Sequence, residues 1–496
     1  MFKLRDYQEE AKKLIRQSWI KGLKSPLLCL PTGGGKTVTF ADMAAEAVNN
    51  GKSVLVLVHR KELLEQAADK LTKYGLQCGI ITGGKKKINR SRYKVFVATV
   101  QTLLRRDDLH VDLLVIDECH RQEFDKLLLS DAYKNVYKIG VSATPIRKGR
   151  NTQLSDLYTN IVETVTVQDL IEKGSLVPAI TYGQKMDDSN FKTKNYDYDA
   201  NDVYNAFNNQ TLYDGVIEMY QKHGENRKAI CFCVNREHSE KTSQAFNDAG
   251  IVSASLDSKV PKKQREMILK QFKQGIIQVL CNVEILTAGF DEWTIECVIL
   301  NMKTKQVTKF LQACGRGSRI TPSECVGVEG YLQKEDFIIL DMGGNVQKLG
   351  LWEMDRKWSL DHKKGDALGV APVKDCPTNK PDVNGKNGCD RIVRASAPTC
   401  PACGYIFPKK EKEVIKAELT EIKATDKLPK ELQGKEIHEM NIFELEKVRI
   451  AYGYKLGWIV RRIYYRKDLS LIHYGEMRGF KNPSKWKQRM IKIYNL

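Results

Sequence analysis

The 496-residue chain has no run of about 18 consecutive apolar residues, so no segment reads as a helix that crosses a bilayer. A secretory signal is also missing: Met1-Phe2-Lys3-Leu4-Arg5-Asp6 leads straight into a charged helical stretch. The expectation is a cytoplasmic protein without a membrane partner. Acidic residues are in deficit, 61 Asp+Glu against 80 Lys+Arg, and the formal net charge of +19 favours a polyanion. The 13 cysteines form no disulfide-type framework. Most stand singly in apolar runs (Cys29, Cys231, Cys233, Cys281) and read as reduced core thiols. With 42% hydrophobic and 28% charged residues the chain is globular, and its length implies about three domains.

The most informative stretch is Leu30-Pro31-Thr32-Gly33-Gly34-Gly35-Lys36-Thr37. An apolar run, Pro26 to Leu30, precedes it as a buried strand, and Val38 to Ala47 follows with helical spacing. Consecutive glycines let backbone N–H groups curl around an anion, and the helix N-terminus adds positive potential. The pattern predicts a nucleotide site at Thr32, Gly33, Gly34, Gly35, Lys36 and Thr37. Lys36 would reach the terminal phosphates and the Thr37 hydroxyl would ligate Mg²⁺. A phosphate loop usually begins with Gly, and Leu30 departs from that. Upstream, Gln8 can pair with both edges of an adenine, accepting and donating.

Three further apolar runs read as parallel strands: Ser53–Val58, Val95–Ala98 and Val111–Ile116. The first ends at His59-Arg60 and the second at Thr99-Val100-Gln101, whose polar groups suit a phosphate backbone or a helix cap. The third ends at Asp117-Glu118-Cys119-His120. Asp117 would hold Mg²⁺ through water and Glu118 would orient and deprotonate the attacking water; the alternative is a pair of helix caps. Lys138 to Val141 then leads into Ser142-Ala143-Thr144, able to couple the site to a second ligand.

Lys185 to Asp202 is polar and without period, which reads as an interdomain connection. Strands resume at Ala229–Val234 (ending at Asn235-Arg236), Ile277–Asn282 (followed by Thr287, Gly289 and Asp291) and Val298–Leu300. In Gln312-Ala313-Cys314-Gly315-Arg316-Gly317-Ser318-Arg319 two arginines three apart lie on one face of a helix or its end. They can stabilise charge at a γ-phosphoryl bound by the other half, or form a solvated basic face.

In order, Arg5 with Gln8, Gly33–Thr37, Asp117-Glu118-Cys119-His120, Ser142-Ala143-Thr144 and Gln312…Arg316…Arg319 resemble superfamily 2 helicases over about residues 1 to 345. The resemblance implies two tandem RecA-like parallel-sheet domains that close on ATP and ratchet along a strand. It places Arg5, Gln8, Gly289 and Asp291 at the nucleotide, and Gln312, Arg316 and Arg319 at the water and γ-phosphate. Nucleic acid is assigned to Arg60, Thr99, Gln101, Asn235, Arg236 and Thr287. Ile338 to Asn345 is similar to RadD-like bacterial and phage helicases, although Leu349 stands where those commonly carry His. That likeness implies forked, branched or single-stranded DNA as substrate, branch migration in replication, recombination or repair, and a bacterial or phage-infected cytoplasm. A single-strand-binding or recombination protein is a candidate partner.

Cys400-Pro401-Ala402-Cys403-Gly404 reads as half of a zinc knuckle. Cys376 and Cys389 would supply the other half across an unusually long loop. From Asn441 to Leu496 there are 13 Lys/Arg against 4 Asp/Glu, a balance of +9. Tyr452, Tyr454, Trp458, Tyr464, Tyr465, Tyr474 and Trp486 interleave with that charge, so rings can stack on bases, or fill the core of a small helical domain. Lys455, Trp458, Arg461 and Arg462 are the tail's candidate contacts, and Lys455-Leu456-Gly457-Trp458 also resembles the end of RadD-like proteins. Lys85-Lys86-Lys87 with Arg90, Arg92 and Lys94 reads as a solvated loop.

The expected layout is therefore α/β. Residues 1–184 form an ATP-binding RecA-like domain, 185–204 a linker, and 205–350 a second RecA-like domain. A zinc module at 351–410 and a basic, mainly α domain at 411–496 complete it. Expected cofactors are ATP, Mg²⁺ and Zn²⁺. The rival readings are an RNA helicase, a restriction-type motor subunit and a DNA-binding scaffold with an inactive ATPase.

Overall fold

The computed structural model describes residues 3–494 apart from 61, 83–90, 106–108, 148–151, 185, 209, 285, 287–291, 327–331, 362–369, 409–429, 433, 453, 467 and 481. Thr287, Gly289, Asp291 and most of the Lys85–Lys94 cluster lie outside the described residues. The chain divides into two compact units, Met1–Lys409 and Lys410–Leu496.

The first unit holds two all-parallel sheets. Strands β1 (Pro26–Cys29), β2 (Val54–Val58), β3 (Cys78–Ile81), β4 (Val95–Thr99), β5 (Leu113–Asp117), β6 (Tyr137–Ser142) and β7 (Asn160–Glu163) line up as β3-β4-β2-β5-β6-β1-β7. β1, β2 and β4 are buried along their whole length because helices cover both faces, which explains their unbroken apolar runs. Helix α1 (Asp6–Ile20) buries Tyr7, Ala11 and Ile15, spaced four apart. Helix α2 (Lys36–Asn49) buries Ala41, Ala44 and Ala45, small residues that bring its axis close to the sheet. Helix α3 (Glu62–Lys73) follows β2.

The second sheet contains β8 (Ala179–Gly183), β11 (Ala229–Cys233), β12 (Ser253–Leu256), β13 (Val279–Asn282), β14 (Cys297–Asn301) and β15 (Phe337–Asp341), ordered β12-β13-β11-β14-β15-β8. Here the fold departs from the expected boundaries. Ala179–Gly183, expected to close the first domain, pairs in parallel with β15 from Phe337↔Ala179 to Asp341↔Gly183. By sheet membership the chain crosses before residue 179 and not after 184. The expected linker is also structured. Two strands of two residues, β9 (Thr193–Lys194) and β10 (Asp197–Tyr198), form an antiparallel hairpin. The helix Ala200–Phe207 follows, with the Asp199 carboxylate accepting from Asn201 N–H at 2.9 Å.

After β15 the chain folds back along the sheets. Leu351, Trp352 and Met354 join the main core. Arg356, 8% exposed, donates to the carbonyls of Leu349, Leu351, Trp352 and Met354. The Ser155 hydroxyl donates to Asp361, tying this segment to the first domain. The hairpin of β16 (Val373–Asp375) and β17 (Ile392–Arg394) then packs on the free edge of the second sheet. Arg391 Nε donates to the Tyr182 hydroxyl at 3.3 Å, and Ile392 fills the space beside Gly183.

The second unit packs the helices Ile442–Ala451, Leu456–Tyr464, Leu471–Met477 and Pro483–Tyr494 around Leu445, Val448, Ile459, Val460, Ile463, Leu471 and Tyr474. At its centre the buried Glu446 carboxylate accepts from Arg449, Arg478 and the Tyr474 hydroxyl at 2.6–2.8 Å. Among the described residues no helix is long and apolar enough to cross a membrane.

Candidate active site

β1, β6 and β5 are adjacent, so the segments that leave their carboxyl ends meet on one rim of the first sheet. This is the rim where open parallel sheets take ligands. The glycine loop leaves β1 with Gly33 at φ +84° and Gly35 at φ +77°, conformations that favour glycine. Gly35 is the N-cap of α2, so the loop runs directly into a helix N-terminus. A Cβ at Gly35 would lie 2.2 Å from Gln8 Nε2. Gln8 is buried, with its Oε1 accepting from Arg5 N–H at 2.9 Å and its Nε2 donating to the Gly34 and Gly35 carbonyls at 3.4 Å. The expected adenine-side residues thus close one flank of the loop.

Lys36 folds back into the loop and donates to Leu30 O at 3.1 Å and Pro31 O at 3.2 Å. Burial pulls its pKa below the ordinary lysine value, opposed by the charges of Glu118 and Asp117. Asp117 ends β5 and is pushed well above the usual carboxylate range by burial and by Glu118 beside it. Two adjacent desolvated carboxylates facing an ammonium form a donor set that suits a hard divalent cation and an anion together. Glu118 sits at φ +52°, with its N–H donating to Asp117 Oδ1 at 3.1 Å.

The second sheet contributes from the helix Val307–Cys314. Gln312 Nε2 donates to Glu118 Oε2 at 3.3 Å across the two domains. Beyond the end of that helix, Arg316 is buried and Arg319 half-buried. A cavity of about 420 Å³ is lined by Thr32, Gly33, Gly35, Lys36, Thr37, Asp117, Glu118, Gln312, Arg316 and Arg319. The expected phosphate, water and γ-phosphoryl residues therefore share one space. Gln66, Lys70 and Tyr74 also line it, and the sequence reading did not single them out. Lys70 lies close enough to act on Asp117.

His120 and Ser142 connect this site to its surroundings. His120 Nδ1 lies 2.9 Å from Ser142 Oγ and 3.5 Å from Glu118 Oε2, and Ser142 Oγ accepts from Thr144 N–H at 3.0 Å. Burial, Arg121 and Arg147 push the His120 pKa down to about 3, so its ring is neutral. The Arg147 guanidinium donates to His120 O and Arg121 O at 3.1 Å and pairs with Asp125. On the other side of the Glu118–Gln312 contact lies a second cleft of about 620 Å³, whose lining includes both of those residues, His59, Arg60, Arg121 and Lys309.

The remaining nucleic-acid candidates are placed differently. Arg60 is exposed in that cleft. Thr99 is buried, with its hydroxyl 3.0 Å from that of Thr102, while Gln101 is exposed. Asn235 caps the helix Arg236–Asp248, its Oδ1 accepting from His238 N–H at 2.8 Å. Arg236 is paired with Glu240 at 2.8 Å and Asp257 at 3.2 Å. These two groups have structural partners within the chain. In the second unit Lys455, Arg461 and Arg462 are exposed and Trp458 is half-buried; Tyr452, Tyr454 and Trp458 stack successively at 5.5 and 4.8 Å. Tyr474 instead belongs to the core.

The sulfurs of Cys376, Cys389, Cys400 and Cys403 all lie within 4.8 Å of one another, with Cys376–Cys403 at 3.7 Å and Cys389–Cys400 at 3.8 Å. A tetrahedron with Zn–S bonds of about 2.3 Å has edges of about 3.8 Å, so the four thiols fit that ion. Gly404 takes φ +75° after the second knuckle cysteine. Cys231, Cys233 and Cys281 also cluster, but they lie buried on neighbouring strands of the second sheet.

Two family models match in tandem: "Type III restriction enzyme, res subunit" over residues 1–147 and "Helicase conserved C-terminal domain" over residues 210–321. A 51.5 kDa protein of Lactococcus phage (isolate 7-9) is 30% identical over 401 residues, covering 78% of this chain and 80% of its own. The chain belongs to the superfamily 2 helicases. This helicase is 32% identical over 346 residues to "Putative ATP-dependent helicase IRC3" of Saccharomyces cerevisiae, covering 65% of the chain and half of the yeast protein. A fragment of a putative HsdR subunit of a type I restriction enzyme from Vibrio vulnificus YJ016 shares the fold. Its TM-score is 0.53 at 24% identity, over 70% of this chain and 65% of that one. The enzyme is an ATP-hydrolysing helicase, and one matched family model falls within each of its two parallel-sheet domains.

Proposed function

We propose that this helicase uses ATP and Mg²⁺ to unwind or translocate on forked, branched or single-stranded DNA during replication, recombination or repair. The observation that carries the reading is the meeting of Lys36, Asp117 and Glu118 with Gln312, Arg316 and Arg319 around one cavity, from two separate sheets. In this reading Thr32 to Thr37 hold the phosphates, with Arg5 and Gln8 on the adenine side. Thr37 and Asp117 hold Mg²⁺, which supplies charge neutralisation at the phosphates when bound. Glu118 takes the proton from water oriented with Gln312, and Arg316 and Arg319 stabilise charge on the departing γ-phosphoryl. Gly289 and Asp291 complete the nucleotide site in the resemblance. Relative motion of the sheets is then coupled to any change in that cavity, because Lys36, Asp117 and Glu118 line it from the first and Arg316 and Arg319 from the second.

The same reading gives the second cleft, with Arg60 in it, to a DNA strand, and the basic second unit to further backbone. Zn²⁺ at the four cysteines would brace the β16–β17 hairpin against β8. The deciding experiment is ATPase rate with single-stranded, duplex, forked and four-way-junction DNA beside matched RNA, followed by strand displacement on the best activator. Stimulation by forks or junctions with branch movement supports the proposal, and preferential stimulation by RNA refutes it. The match to the restriction res-subunit model favours a second reading, a restriction-type motor, in which duplex alone would be the best activator.

A further inference from the structure

We infer that Lys334 is a positioning residue for ATP hydrolysis: it holds the carbonyl of Gly317 and so fixes Arg316 and Arg319, on either side of that glycine, at the nucleotide cavity. The inference rests on the proposal that those two arginines act on the γ-phosphoryl.

Lys334 stands three residues before β15 and is 8% exposed. A buried ammonium is costly, and burial pulls its pKa down to about 7. The like charge of Arg319 works in the same direction. Glu296 and Asp336 act on it through space, but its hydrogen bonds go to two backbone carbonyls, Ile295 O and Gly317 O. Ile295 stands two residues before β14, so one bond ends beside the sheet and the other on the arginine loop. The backbone of Lys334 is fixed as well. Its N–H donates to the Thr321 hydroxyl at 3.2 Å, and that hydroxyl donates to Leu332 O at 2.9 Å. Lys334 is therefore a strut between the second sheet and the loop.

The loop is held mainly from outside itself. The helix Val307–Cys314 has ended before Arg316. Within the loop, the Ser318 hydroxyl donates to Gly315 O at 3.1 Å. From the crossing segment, Val177 N–H donates to Ser318 O at 2.9 Å, and Leu176 bridges to Arg319. On the sheet side, a Cβ at Gly317 would lie 2.2 Å from the Phe337 ring, so this backbone is pressed against β15. The Lys334 ammonium passes 5.8 Å from the centroid of the same ring to reach Gly317 O. A shift of this one peptide group moves both guanidinium groups. A misplacement of about 1 Å at a reacting centre can cost about 10²-fold in rate.

The test follows single-turnover ATP hydrolysis and ATP binding by the full chain, with a single-stranded DNA activator, beside thermal melts. It compares wild type, Lys334→Met, the double variant Arg316→Ala with Arg319→Ala, and the triple variant. Lys334→Met should bind ATP within about threefold of wild type and hydrolyse it about 10²-fold more slowly. Without the two arginines the same substitution should slow hydrolysis by less than about twofold more, because the group it positions is gone. Lys334→Gln keeps a neutral donor and should fall between wild type and Lys334→Met; it takes the place of Lys334→Met in the cycle if that variant does not fold. Wild-type hydrolysis in the folded variant, or slowing of more than about threefold that persists without the arginines, would overturn the inference and leave the helicase reading intact. Wild-type hydrolysis in the Arg316→Ala, Arg319→Ala protein would remove the proposed role of the arginines, and this inference with it.

Discussion

Gly35→Ala tests how the nucleotide loop is built. Gly35 caps α2 at φ +77° and ψ 30°, where an L-residue with a Cβ costs about 1–2 kcal/mol. The new methyl carbon would lie 2.2 Å from Gln8 Nε2. Gln8 is 4% exposed, and its amide bonds Arg5 N–H, Gly34 O and Gly35 O, so moving it forfeits about 1 kcal/mol of hydrogen bonding. Lower unfolded-state entropy returns about 0.4–1 kcal/mol. The net expectation is about 1–3 kcal/mol of destabilisation, a melting shift of roughly 2–4 °C per kcal/mol for a domain of this size, together with a raised KM for ATP. Adding Gln8→Ala should recover the clash component while leaving the backbone component, so the double variant should be more stable than the sum of the singles. Thermal melts and steady-state ATPase on all four proteins check this. Wild-type stability and KM in Gly35→Ala would refute the left-handed cap. Strict additivity would refute the contact with Gln8.

Glu118→Gln should bind ATP but hydrolyse it about 10²–10⁴-fold more slowly, measured by nucleotide binding beside single-turnover hydrolysis. The purified chain should carry one tightly bound zinc, lost in Cys400→Ser, and metal analysis finding none would reject the four-cysteine site. Truncation after residue 409 removes a unit with its own core, and should weaken DNA affinity and flatten its salt dependence; an unchanged salt slope would rule out a role for the basic tail. Burial, and then the charge of Asp355, push the Glu163 carboxyl up to about 7. Between its ordinary value of 4.5 and that pH the folded chain holds a proton that the unfolded chain has released, so stability should fall as pH rises through the window. Glu163→Gln should flatten that fall in urea melts at pH 5 and pH 8.

The nucleotide cavity was legible because its chemistry is written at strand ends: the glycines after β1, Asp117 closing β5, and two arginines three apart beyond a helix. Those features survive without knowing the fold, since each needs only its own neighbours in sequence. The four cysteines were legible for the same reason, although the loop between Cys376 and Cys389 hid how they meet. β8 was not legible as part of the second domain, because nothing local in Ala179–Gly183 records which sheet edge it will join; pairing with β15 is decided some 160 residues later. The β9–β10 hairpin was missed because strands of two residues are too short to show a period. Gln66 and Lys70 of α3, and Tyr74 just beyond it, escaped notice because helical spacing shows that α3 has faces, and only packing turns one of them to the cavity.

The contact between Gln312 and Glu118 brings these features together. Glu118 occupies a left-handed backbone conformation, which a non-glycine residue keeps only when its surroundings hold it there. Three groups do so here: Asp117 accepts from its N–H, and His120 and Gln312 approach its carboxylate. His120 is bonded to Ser142 of the first sheet, whereas Gln312 belongs to the second. The carboxylate that would activate water is therefore positioned by both domains at once. It also forms part of the wall shared by the nucleotide cavity and the cleft below the hairpin. In the proposed function, a strand bound in that cleft would alter hydrolysis by displacing Gln312.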